Sequence, residues 1–139
     1  MAALTADRET SSKTTGLKSY PVADNVVIYK GSIVAINTLG YAQPAASTAS
    51  FLVAGIADSK VDNTLSGHTA GGKSIRVVSS RHFLLDATGT PTQATVGQKV
   101  FVIDDHTVNT VQVNNVLVGQ VTEFVSATSL WVCVVGLGE

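Results

Sequence analysis

KVFVIDDHTVNTVQVNNVLVGQVTEFVSATSLWVCVV, residues 99–135, decides the fold. Four apolar, β-branched runs (99–103, 107–113, 116–125 and 130–135) are separated by Asp104-Asp105, by Asn114-Asn115 and by the small polar stretch 126–129. Asparagine and aspartate tolerate the backbone of tight turns, and valine and threonine pack well on a pleated surface but lose rotamer freedom in helices. The segment therefore predicts strands joined by short turns, with residues 116–125 and 130–135 as a closing hairpin.

Upstream, the same pattern repeats. Strands are expected at residues 25–29, 32–37, 41–43, 51–57, 74–79 and 82–85, with turns at Lys30-Gly31 and Leu39-Gly40. Gly55, inside the apolar run FLVAGIA, marks a bulge or a close backbone approach. Residues 92–96 suit one short helical turn, and no segment supports a helix longer than two turns. Nine or ten strands at this spacing predict an all-β domain over residues 21–139, an antiparallel β-sandwich of jelly-roll type or a closely related small β-barrel. The expected core includes Val27, Ile33, Val53, Ile56, Val77, Leu84, Val100, Val102, Val121, Trp131 and Val135. Residues 1–20 stand apart. They are polar, with five serines or threonines between Thr10 and Thr15, and carry neither a helical nor a strand period. They read as an extended N-terminal arm ordered by what it binds, or as a disordered tail.

Composition agrees with this division. Valine, isoleucine and threonine number 21, 6 and 16 of 139 residues, close to a third of the chain. A chain of this length suits one domain and buries roughly 68% of its unfolded surface, so no staple is required. One cysteine allows no internal disulfide. Nine basic and ten acidic side chains give a formal charge of −1, without the cationic surplus that phosphate backbones demand, so no nucleic-acid partner is expected. Polar residues interrupt every apolar run well short of a membrane span, and residues 1–19 lack the apolar run of a signal peptide. A cytosolic origin in the host cell and no membrane partner are expected.

Chemistry is harder to find. Residues 67–74, GHTAGGKS, match the letters of a phosphate-cradling loop, and residues 100–104 supply an apolar run ending in an acid. Such a loop works because a buried strand enters it and a helix leaves it, aiming N–H groups at phosphate. Here VDNTLS precedes it and the strand-like SIRVVSS follows, so a glycine-rich hairpin loop is the expectation. His68, His82 and His106 lack metal-ligand spacing, and Asp104-Asp105-His106 reads as turn chemistry. No serine sits in G-x-S-x-G, and Cys133 is expected to be a buried packing residue. The chain reads as non-enzymatic, with no cofactor and no metal.

Four segments carry a resemblance. Residues 2–10 (AALTADRET), 19–31 (SYPVADNVVIYKG) with the following 32–41, 96–105 (VGQKVFVIDD) and 118–134 (VGQVTEFVSATSLWVCV) resemble the capsid cement, or head decoration, proteins of tailed double-stranded-DNA bacteriophages. These are structural patterns of turns and strands, so their order and combination carry the likeness. The resemblance implies a structural virion protein on the outer surface of an icosahedral capsid. It would act as a homo-dimer or homo-trimer that clamps neighbouring major capsid protein subunits against internal DNA pressure. In the arm, Arg8, Lys13, Lys18 and Tyr20 are the side chains suited to gripping that partner: basic groups for carboxylates, and a ring that buries at little rotamer cost. The competing expectation is a receptor- or carbohydrate-binding β module of a phage particle, against which only eight aromatic residues weigh.

Overall fold

The computed structural model describes residues 5–6, 17–48, 50–112 and 116–137. Among them are twelve strands and one 3₁₀ turn: β1 (Leu17–Pro21), β2 (Val27–Ile28), β3 (Ile33–Ile36), β4 (Ala42–Pro44), β5 (Leu52–Ala57), β6 (Val61–Asp62), β7 (Ser74–Val78), β8 (Arg81–Thr88), the turn at Gln93–Thr95, β9 (Lys99–Val102), β10 (Thr107–Asn109), β11 (Leu117–Ser126) and β12 (Ser129–Val134). The expected helical turn and closing hairpin are both present; the expected Asn114-Asn115 turn lies outside the described residues.

Pairing stays within each half of the chain. The first half forms a five-stranded antiparallel sheet in the order β1-β7-β5-β3-β4, with β2 and β6 as a separate two-stranded ribbon. The second half closes a five-stranded barrel, β10-β8-β12-β11-β9. The all-β expectation holds, and residues 81–134 close a five-stranded barrel. Pairing is not antiparallel throughout, because β10 runs parallel to β8 over Asp86–Thr88. The expected arm also ends earlier than residue 20. Residues 17–21 pair with β7 along their whole length, Leu17 opposite Val78 and Pro21 opposite Ser74.

Two apolar clusters meet at β3. Ile33 and Ala35 join Val53, Ile56 and the barrel interior (Val100, Val102, Val118, Val121, Leu130, Val132, Val134). Val34 and Ile36 face the other way, toward Val22, Ile28, Ala54, Ile75 and Val77. Alternate residues of a strand point to opposite faces, so all four residues of β3 are buried. Residues 53 and 56 share a face, three positions apart, because β5 bulges: Val34 pairs with Gly55 but Ala35 with Val53, leaving Ala54 extra. Gly55 has φ +153°, and a Cβ there would lie 2.6 Å from the Val78 carbonyl oxygen. It is both the bulge and the close approach that its position in the sequence suggests.

Four expected core residues are displaced. Leu84 is 53% exposed, while its neighbour Leu85 is buried. Trp131 and Val135 are half-buried, whereas Leu130, Val132 and Val134 fill the barrel. Val27 is half-buried beside the fully buried Ile28. Cys133, expected inside, is likewise half-buried, opposite Gln120 and His82 in the barrel ladder. The barrel is tight at this level: a Cβ on Gly119 would collide with the Cys133 carbonyl oxygen.

Candidate functional site

β1 carries the two expected grip residues that the structure describes. Alternation turns Lys18 and Tyr20 to one face and exposes Leu17 and Ser19 on the other. Tyr20 packs against the Val22–Ile28–Ile75 cluster. Lys18 reaches across the chain, its ammonium donating to the Leu137 carbonyl at 2.6 Å. These two side chains thus fasten β1 to the body. Arg8 and Lys13 lie outside the described residues. On the sheet surface beside β1, Ser19 stands opposite Arg76, and Leu17, Lys18, Ser19, Tyr20 and Arg76 line an open groove of about 420 Å³. Arg76 is already engaged: its Nη2 and Nε donate to Asp58 Oδ2 at 2.9 and 3.2 Å.

The glycine-rich loop does not have the frame of a phosphate cradle. Ser74 opens β7, a strand where a helix is required. The N–H of Gly71 donates to Val22 O and that of Gly72 to Thr69 O, and the Lys73 ammonium donates to Asp62 O at 2.8 Å. His68 Nδ1 lies 2.6 Å from Asp24 Oδ1, closing the loop onto the β1–β2 connection. At the loop's base, the buried Asn63 side chain donates to the carbonyls of Ala23 and Thr69, each at 2.9 Å.

Among the described residues, the densest titratable cluster is Asp86, Asp104, Asp105 and His106. Donor atoms of Asp104, Asp105 and His106 lie within 4.8 Å of one another. Asp104 Oδ1 accepts the N–H groups of His106 and Thr107 at 2.9 and 2.8 Å, which is the turn chemistry expected from the sequence. Burial pushes the Asp104 carboxyl up. The bonds from His106 and Thr107 and the nearby imidazole outweigh it and hold the group below its usual value. His106 Nδ1 lies 2.9 Å from Asp86 Oδ2, and that bond, followed by the Asp104 charge, raises the imidazole above its usual value. Asp62 is likewise lowered, first by the hydroxyl and then by the N–H of Thr64. The Asp86–His106 contact ties β8 to β10 along their parallel seam. Its partners are already satisfied, so it can hold the seam and bind a proton.

Sequence reasoning did not single out Lys30 and Arg81, which face one cleft between the sheet and the barrel. The only local signal was a basic residue at each corner, beside Gly31 and after Ser80, where the chain turns. Compared with protein families, with curated proteins and with solved structures, the chain gave no match in any of the three.

Proposed function

We propose that the protein is a structural component of a phage particle, seated on the outer surface of the icosahedral shell and bridging neighbouring capsid subunits as a closed homo-oligomer. The observation that carries this reading is the position of the four resembling segments. Apart from residues 2–10, they fall on the framework: β1 to β3 with the turn before β4, β9 with its turn, and the β11–β12 hairpin. Polar residues 1–16 attach at β1, the edge strand that five residue pairs, Tyr20 and Lys18 fasten to the body. A tether fixed at a sheet edge transmits load into a body with its own core, as a clamp must. The small-barrel form of the expected jelly-roll-related fold belongs to the same reading. The carbohydrate-binding alternative needs open aromatic faces. The most exposed ring, Tyr29, has the Lys60 ammonium 5.2 Å from its centroid. The test is co-sedimentation of purified protein with expanded empty capsids of the parent phage. Saturable occupancy, at a fixed number of copies per shell, is expected. No association at micromolar protein would end the reading.

A further inference from the structure

The cleft between sheet and barrel has a volume of about 360 Å³ and lies where β7 turns through Ser79-Ser80 into β8. Ile56, Val78 and Leu85 contribute apolar surface, and Lys30-Gly31 faces Arg81, Phe83 and Leu84. Two features of this cleft are unspent. The first is charge. Asp58 at its rim is paired with Arg76, whereas Lys30 and Arg81 have no ion-pair partner among the described residues. The second is backbone. The N–H of Ala87 donates to Thr128 of the chain leading into β12, so by antiparallel alternation Phe83 and Leu85 also bond toward β12. His82, Leu84 and Asp86 then aim their N–H and C=O groups at the opposite edge. There the Asp86 N–H meets the His106 carbonyl, but β10 pairs with β8 only from Asp86 onward. Among the described residues, nothing pairs with the outward backbone groups of Leu84.

An open strand edge accepts an extended chain through main-chain hydrogen bonds, and alternate side chains of that chain then drop into adjoining pockets. We infer that the β8 edge and the Lys30/Arg81 cleft bind an extended acidic segment of a partner protein, one apolar side chain seated on Ile56, Val78 and Leu85 and flanking carboxylates held by Lys30 and Arg81. The inference deepens the shell-binding reading and rests on it only for the partner, an exposed acidic strand or loop of a capsid subunit.

The cleft is tested first on the free protein. Amide shifts are followed by NMR during titration with a capped Thr-Asp-Val-Asp-Thr pentapeptide and with its Thr-Lys-Val-Lys-Thr counterpart. Saturable shifts centred on Lys30, Gly31 and residues 81–85 are expected with the acidic peptide alone, weakening severalfold between about 0.05 M and about 0.5 M salt. The double variant Lys30→Glu/Arg81→Glu, at two exposed positions, should weaken binding about tenfold or more. Leu84→Pro removes the outward N–H together with a cleft-lining side chain, so with both charges intact it should weaken binding more than Leu84→Ala, which removes the side chain alone. Equal binding of the lysine peptide, or shifts centred elsewhere, would overturn the cleft assignment. The second arm is capsid occupancy. Loss of occupancy by the double variant at unchanged melting temperature supports the assignment to the shell, and full occupancy without peptide binding overturns it. A wild-type protein that ignores capsids sinks the shell reading alone, and the titration then decides the cleft by itself.

Discussion

Asn63 shows how much of this fold hangs on single polar atoms. It is 2% exposed, and its amide donates to three carbonyls, those of Val22 and Ala23 on the β1–β2 connection and of Thr69 in the glycine-rich loop, while its own N–H and C=O bond Val26 and Asn25. Truncating it to alanine removes these bonds; the Val22 and Thr69 carbonyls still accept from Gly71 and Gly72, but the buried Ala23 carbonyl loses its side-chain donor, so Asn63→Ala should cost about 1–2 kcal/mol in chemical denaturation. A loss below a few tenths would mean that water replaces the amide. His106 gives the pH dependence. Its folded-state pKa is raised, so its contribution is complete below the unfolded value near 6.5 and is lost as pH rises through the folded value. Asp104 is lowered, so its contribution is present above the unfolded carboxylate value and is lost as pH falls through the folded one. Wild type should therefore gain a small margin over His106→Gln as pH drops from about 8 to about 6, kept small by the exposure of His106 and Asp86. Melting curves of the pair across that range give the answer, and a flat difference would remove the Asp86–His106 contact from the stability account.

Among the elements, β1 is the one whose role the structure redefines. Residues 17–20 read as the end of a polar arm because LKSY is short and its apolar positions are few. Its partner β7 lies more than fifty residues away, and edge pairing of that kind leaves no local trace. Removing residues 2–16 should leave the melting temperature within about 2 °C of wild type, since no described strand is cut. Removing residues 2–21 takes away the ladder to β7, the Lys18–Leu137 bond and the Tyr20 packing. Burial of that ring alone is worth on the order of 2–3 kcal/mol, so a fall of about 10 °C is expected. Equal melting of the two truncations would mean that β1 adds nothing. Most other strands were legible, because their runs end in Gly, Asn or Asp turns. Their phase was less so. In β12, Leu130 to Val134 are apolar on both faces, so no alternation distinguishes Trp131 from Val132. In β11, Val118, Val121 and Phe124 reach the same core at a spacing of three, because the ladder shifts after Leu117 and again after Val121. A bulge erases the period that sequence reading depends on. The cleft was invisible for a related reason: Lys30 and Arg81 become neighbours only when β7 turns from the sheet into the barrel.

Over the whole molecule, β3 makes the two apolar clusters one mechanical unit. Ile33 and Ala35 belong to one cluster and Val34 and Ile36 to the other, so melting either cluster strips β3 of its packing on one face. Val34→Ala, in the sheet cluster, and Val132→Ala, in the barrel, should therefore each lower one shared unfolding transition by on the order of 1–3 kcal/mol. Two separable transitions would show that sheet and barrel fold independently. On the proposed reading, load entering at β1 is resisted first by the β1–β7 ladder and then by a body whose two clusters share β3. The arm and the Lys30/Arg81 cleft then share the grip, and the body supplies stiffness. Free protein lacking residues 2–16 should melt like wild type, yet hold capsids more weakly. A bound clamp stabilises a shell by mass action, in proportion to the logarithm of free protein over its dissociation constant. A hundredfold weaker grip therefore removes about 2.7 kcal/mol of stabilisation per site at saturating protein. Particles decorated with the truncated protein should release DNA at a lower temperature than fully decorated ones. Dye uptake during heating measures the release, with shell occupancy read from the same preparation. Equal occupancy and equal release temperature for both proteins would place the grip in the β body, and the Lys30/Arg81 cleft would then be the first place to look for it.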